Sequence, residues 1–201
     1  ISGATTVSST SHLAHLAGIK VFSTGGIGGV HRGYKKSLDM SQDLFSLSRT
    51  PIVVVCSGVK SFLNVEKTIE ALETFGVTTV GYKTNSFPLF YSSKSKNKLQ
   101  YSFDTVGGLV GTYRENIKNK LQSSLLVLNP VPKKDEIIEE KIKSIVSKSI
   151  SKMDKLGIVG NKTTPFLLSE IAEKTKNKSL ETNISLALNN IKLGATIALK
   201  M

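Results

Sequence analysis

The run Ile52-Val-Val-Val-Cys56 constrains this chain more than any other stretch. It is apolar without interruption, β-branched and strand-sized, so neither of its faces is left for water. A strand of that kind belongs in a parallel sheet covered by helices on both sides. Around it the apolar period keeps switching. Val7–Ala17 reads as a helix and Ile19–Phe22 as a strand. Ser41–Ser48 reads as a helix capped by Ser41 with Asp43 in its first turn, and Asn64–Phe75 as one capped by Asn64 and stopped by Gly76. Val77–Val80 and Leu125–Leu128 are further strands, separated by a polar loop over Tyr91–Leu99 and a helix over Asp104–Lys120. The last third is helical. Lys134–Lys155 carries Ile137, Ile138, Ile142, Ile145, Val146 and Ile150 at helical spacing, and Thr164-Pro165 starts another helix with Pro at its first position. From Asn183 onward, Ile184, Ala187, Leu188, Ile191 and Ala195 form one apolar face. With no internal repeat and no linker, the expectation is one α/β domain over residues 1–201. It is an α/β/α sandwich around a mixed or mostly parallel sheet.

The formal charge of +12 and pI near 9.7 raise the question of nucleic acid. Lysines in stretches such as Ser93–Lys98 and Lys174–Lys178 are diluted by Ser and Asn, and aromatics do not interleave with them, so no stacking platform is visible. Attraction of a small phosphorylated substrate is the simpler use of the charge. A single cysteine, Cys56, excludes an intrachain disulfide and points to a reducing compartment. The apolar runs are too short for a membrane span, and Ile1-Ser2-Gly3-Ala4 has no signal-like character. A cytoplasmic protein without nucleic-acid or membrane partners is expected.

The loop Gly25-Gly26-Ile27-Gly28-Gly29 directly follows the first strand. It fits a tight strand-to-helix turn, and it equally fits a cradle in which backbone amides approach an anion. It is not a dinucleotide fingerprint, because His31 occupies the place of the last glycine. Gly58-Val-Lys-Ser61 is not a P-loop, since Val54 and Val59 stand where that motif needs glycine. His31, Arg32, Asp39 and Asp43 follow the glycine loop closely, which is a functional grouping. Asp39 has the hard oxygen donors that suit Mg²⁺ or Mn²⁺, and no Cys/His cluster supports zinc. His12 and His15, a turn apart on the first helix, have no carboxylate near them in sequence and read as structural. Lys60 lies just past a buried strand, where open α/β sheets bind ligands. Two readings stand: a partly desolvated amine with a lowered pKa, free to attack, or a solvent-facing lysine at a helix start.

Taken together, these motifs resemble a known family. Ala4-Thr-Thr-Val7, Leu16–Ile19, Thr24–Gly33, Asp39–Asp43, Arg49-Thr-Pro51, Ser57–Lys60, Leu72-Glu-Thr74, Gly81-Tyr82, Phe87-Pro88, Asn129-Pro130, Thr164–Leu168 and Asn183–Asn190 fall in the order and spacing of pseudouridine-5′-phosphate glycosidases, also called indigoidine-synthase-A-like proteins. The resemblance covers essentially the whole chain. It implies an α/β/α fold, a homotrimer, a Mn²⁺-type metal, and cleavage of the C–C glycosidic bond of pseudouridine 5′-phosphate to uracil and ribose 5-phosphate. It also implies that Lys60 attacks C1′ of the sugar and that Asp39 is the metal ligand. Val7, Ser41, Gln42 and Asp43 match substrate-contacting positions. Asn183 matches an active-site asparagine, and His31, in the family's histidine motif, joins the catalytic set. Family members begin well upstream of Ala4, in a segment bearing a proton-donor glutamate and a substrate-binding lysine. The chain therefore reads as a fragment or one piece of a split polypeptide, expected to be crippled alone. The alternative is a non-catalytic member that binds a sugar phosphate or serves as a structural subunit.

Overall fold

The computed structural model describes residues 5–201, so Ala4 and the rest of the N-terminal tetrapeptide lie outside the described residues. Five strands are present among the described residues: β1 Val21–Ser23, β2 Val53–Cys56, β3 Thr78–Tyr82, β4 Ser102–Phe103 and β5 Leu125–Leu128. They form one sheet in the order β1-β2-β5-β3-β4. Every ladder is parallel, with Val53 opposite both Val21 and Leu125, and Val127 opposite both Val55 and Val80. The mixed alternative therefore falls away, and all strand carboxyl ends lie on one rim.

Side chains that alternate along a strand point to opposite faces, and here both faces are covered. Val54, Cys56, Leu126 and Leu128 pack with residues of helices α3 (Gln42–Leu47), α4 (Val65–Thr74), α6 (Glu139–Lys155) and α7 (Thr163–Lys174). Val53, Val55, Leu125 and Val127 pack with α5 (Val106–Lys118) and the end of α8 (Lys178–Ala198). Helix α1 (Val7–Leu16) lies against α3, and a short α2 (Tyr34–Ser37) interrupts the loop after β1. The expected α/β/α sandwich with a helical last third is what the chain forms. Two predicted caps are in place, with the Ser41 hydroxyl accepting from the Asp43 amide and the Asn64 side-chain carbonyl oxygen accepting from the Lys67 amide.

Three expectations need correction. The helix expected from Lys134 begins at Glu139, because the residues before it are used elsewhere. Asp135 accepts from the hydroxyls of Thr182 and Ser185 on α8, and the Ile137 amide donates to the Tyr91 carbonyl. Pro165 is the third residue of α7, not the first, still within the turn whose N–H groups have no intrahelical partner. The apolar face expected on α8 is the exposed one, with Ile184, Leu188 and Ile191 all more than half exposed. Its buried face carries Thr182, Leu186, Asn190, Leu193, Gly194 and Ile197 instead. Close approach to β1 selects that side, since a Cβ on Gly194 would strike the Ser23 hydroxyl. The short edge strand β4 and helix α2 have no counterpart in the sequence reading. Among the described residues no helix is long and apolar enough to cross a membrane.

Leu126, fully buried at the centre of the sheet, is the sharpest test of this packing. Leu126→Ala is expected to cost about 2–5 kcal/mol, read from the shift of a urea unfolding transition.

Candidate active site

The carboxyl ends of β1 and β2 do not separate after the strands end. The Thr24 amide donates to Val55 O at 2.9 Å, Ser57 N to Gly25 O at 2.9 Å, Ile27 N to Gly58 O at 3.0 Å, and Lys60 N to Ile27 O at 3.1 Å. The glycine loop and the segment carrying Lys60 are thus one extended, hydrogen-bonded pair. Two glycines make this possible. Gly58 has φ +91°, a left-handed conformation, and a Cβ there would collide with the Pro88 carbonyl. At Gly28 a Cβ would run into the Ser41 side chain and lie 2.8 Å from Asp43 Oδ2. Lys60 is half-buried and sits in the turn before α4, not at a helix start.

Asp43 explains how the loop keeps its shape. The residue is 3% exposed; its Oδ2 accepts from the Gly28 amide at 2.7 Å and its Oδ1 from the Ser8 amide at 3.0 Å. One buried side chain thereby satisfies the glycine loop and the start of α1, next to buried Val7. Thr68 does the same for the far end of the loop, accepting from Val30 N at 2.9 Å while donating to Asn64 O. Ser41, the cap of α3, borders Gly28, and Gln42, the first residue of that helix, is exposed. Asn183 abuts the loop from α8: a Cβ added at Gly25 would meet its Oδ1 at 3.2 Å. Lys60, Ser41, Asp43 and Asn183 are therefore all tied to one loop, Gly25–Gly29.

His31 and Asp39 stand slightly apart from that group. His31 Nδ1 lies 3.6 Å from Asp39 Oδ2, and the Asp39 side chain is 55% exposed. Among the described residues no three His, Cys, Asp or Glu side chains converge, so a cage made of protein ligands alone does not fit. A hard ion held by one carboxylate and its own waters does fit an open aspartate. Arg32 is engaged elsewhere, its guanidinium donating to the carbonyls of Phe62 and Ser61, and burial lowers its pKa from the ordinary arginine value. A cleft of about 370 Å³ opens beside this region, lined by Arg32, Ser61, Asn64, Leu89, Lys96 and Lys143 among others. His12 and His15 are exposed on α1.

The sequence reading named Ser57, Asn129 and Asn190 only as members of motifs and gave no role to these three residues, which are buried and polar beneath the loop. The signal available was the position of Asn190, seven residues after Asn183 and so on nearly the same side of a helix. It was hidden because Asn190 lies among apolar residues assigned to the wrong face.

Fold and site together define an α/β protein with a parallel sheet in which a glycine loop and a lysine-bearing turn share the carboxyl ends of adjacent strands. The family profile described as indigoidine synthase A like protein matches residues 1–200, and the chain belongs to that family. It is 46% identical over 201 residues to the pseudouridine-5′-phosphate glycosidase of Alkaliphilus metalliredigens, covering 100% of this chain and 66% of that protein. Against the enzyme of the same name from Glaesserella parasuis it is 43% identical over 198 residues, covering 98% of this chain and 66% of that one. An indigoidine synthase A-like protein of Thermotoga maritima superposes with a TM-score of 0.90 at 40% identity, over 97% of this chain and 64% of that one. The prealnumycin C-glycosynthase AlnA, solved with ribulose 5-phosphate, gives a TM-score of 0.91 at 31% identity, over 98% of this chain and 65% of that one. The chain thus spans about two thirds of the length of these relatives.

The one thiol of the chain is not a rival to Lys60. Burial of Cys56 is the main cause of a pKa pushed up to about 12, against smaller opposing effects of the Gly58 and Ile27 amides. At pH 8 its thiolate fraction is on the order of 10⁻⁴. Iodoacetamide at that pH is expected to leave the folded protein unlabelled and to add one carbamidomethyl group after denaturation, as read by mass spectrometry.

Proposed function

We propose that this chain carries the lysine of a pseudouridine-5′-phosphate glycosidase, which cleaves the C–C bond between uracil and ribose 5-phosphate. The observation that carries the reading is the backbone bond from Lys60 N to Ile27 O, which holds the main chain of a half-buried lysine against a glycine loop at the carboxyl end of a parallel sheet. The 46% identity to a protein of that name supports the substrate.

A C-glycoside offers no heteroatom leaving group at C1′ for an acid to protonate. The chemistry needs an electron sink, and a lysine amine supplies one. In the proposed course, C1′–O4′ breaks as O4′ takes a proton from an acid, and Lys60 Nζ bonds to C1′ and gives up a proton. The nitrogen lone pair then forms C1′=N as the C1′–C5 bond breaks and uracil C5 is protonated. Water finally releases ribose 5-phosphate from the iminium and restores the amine. Val7, Ser41, Gln42 and Asp43 are the proposed substrate contacts, and Asn183 and His31 complete the catalytic set. Asp39 would hold Mn²⁺ or Mg²⁺ largely through water, and the ion would supply positive charge for substrate oxygens. A cytoplasmic setting accords with the free, buried cysteine. A homotrimer accords with the exposed apolar stripe of Ile184, Leu188 and Ile191, surface that an assembly would cover.

Borohydride reduction during incubation with pseudouridine 5′-phosphate tests the central step. The chain is assayed as it stands and joined to the additional segment of its Alkaliphilus relative. A pentose-phosphate adduct on the peptide bearing Lys60 is expected, and Lys60→Arg should abolish it. Turnover with the adduct on another lysine would overturn the assignment. Binding of ribose 5-phosphate with no adduct in either form would favour the non-catalytic sugar-phosphate binder.

The metal has its own test. Asp39→Asn should lower turnover at least tenfold, with partial recovery in excess Mn²⁺ and an unchanged circular dichroism spectrum. Full activity of the unmodified protein after exhaustive chelation would refute the metal's role.

A further inference from the structure

The interior of the sheet is apolar until the strands reach their carboxyl ends, where a fully paired polar cluster replaces it. Asn190 of α8 is 0% exposed and uses its whole amide there. Its Nδ2 donates to Thr24 O at 2.8 Å, at the end of β1, and to Ser57 Oγ at 3.1 Å, at the end of β2. Its Oδ1 accepts from Asn129 Nδ2 at 3.0 Å, at the end of β5. The Ser57 hydroxyl, also 0% exposed, donates in turn to Asn129 O at 2.8 Å. One side chain is therefore bonded to the ends of three neighbouring strands.

We propose that Asn190 is a positioning residue for Lys60, fastening the paired glycine loop and lysine-bearing turn to α8 and to the end of β5. Buried polar groups stabilise a fold no better than good apolar packing, but a satisfied network admits only one arrangement of its members. The members here are Thr24, one residue before the glycine loop, and Ser57, three residues before Lys60. An apolar side chain in place of Asn190 would still fill the space between α8 and the sheet. It would leave Thr24 and Ser57 held only by the backbone bonds between their segments, without the side-chain tie that fastens both to α8 and to the end of β5. An error of about 1 Å at a reacting group can lower a rate by roughly 10²-fold. This inference rests on the reading of Lys60 as the nucleophile for its catalytic arm only.

The test compares Asn190→Asp with Leu193→Ala, a change on the same helix that removes packing against the sheet and leaves the polar cluster intact. Asn190→Asp keeps the size of the side chain and loses both donors while ionised. It is expected to slow formation of the Lys60 adduct by about 10–100-fold at saturating pseudouridine 5′-phosphate, with KM changed less than about threefold. Lowering the pH should partly restore the rate, because protonation of the introduced carboxyl returns one donor to the cluster. Leu193→Ala should lower the melting temperature without either effect. Amide hydrogen exchange supplies a readout independent of turnover. Exchange at Ile27, Ser57 and Lys60 should quicken at least tenfold in Asn190→Asp, with Val54 and Leu126 unaltered, and should stay unchanged in Leu193→Ala. Ser57→Ala, which deletes the hydroxyl of the cluster, should give the same exchange pattern and serves if Asn190→Asp does not fold. Should the protein form no adduct either as it stands or joined to the additional segment, the glycosidase reading fails and the exchange data alone decide this one. Uniform quickening across the sheet, or none at those three amides, would overturn the proposal, as would an adduct rate that merely follows melting temperature.

Discussion

Everything in this molecule hangs on the pairing of two strands that never meet water. Val53–Cys56 and Leu125–Leu128 are fully buried, so each backbone amide and carbonyl must find a partner inside the protein. Parallel neighbours on both sides supply those partners. The cost of leaving even one unmet is large enough to fix the register, and the register fixes which side chains face which helix layer. It also gathers four segments on one rim: the glycine loop, the Lys60 turn, the end of β5 and the start of the segment after β3. A site there is a consequence of strand direction before any catalytic side chain is considered.

Beyond the rim the same requirement is met by side chains. Where the glycine loop does not pair with the Lys60 segment, its Gly28 amide is taken up by Asp43 and that of Val30, just beyond, by Thr68, and Gly28 is small because Ser41 and Asp43 occupy the space a side chain would need. The residues that shape the loop include some of those proposed to contact a substrate. Asp43 has both oxygens engaged with backbone amides, so any contact it makes with a ligand draws on its remaining lone pairs, with the loop already held in place.

Much of this was legible from residues alone. The uninterrupted apolar run announced a central parallel strand. Ser41 and Asn64 announced caps, and the glycines after the first strand announced a loop that backbone could approach closely. What could not be read was anything dependent on a partner distant in sequence. Lys134–Ile138 has helical periodicity, yet its backbone and side chains bond to Tyr91, Thr182 and Ser185, and no local pattern records that. The inward face of α8 was misjudged for a related reason. Apolarity normally marks the buried side of a helix, but against β1 the limiting quantity is distance, so Gly194, Thr182 and Asn190 turn inward beside Leu186, Leu193 and Ile197, while Ile184, Leu188 and Ile191 turn out. The role of Asn190 was missed with that face.

Helix α8 also acts as a ruler. Gly194 fits against Ser23 at one point along it, and Asn183 reaches Gly25 at another, eleven residues away and so about 16 Å along the axis. The first contact sets the helix's position along β1, and the intervening turns carry that position to the loop. Length changes in the connection between α7 and α8 leave both contacts untouched. A single residue gained or lost between Asn183 and Gly194 would swing Asn183 by about 100° around the axis, away from Gly25. Among related chains, insertions and deletions should therefore fall before Asn183 or after Gly194, however freely the residues between them vary.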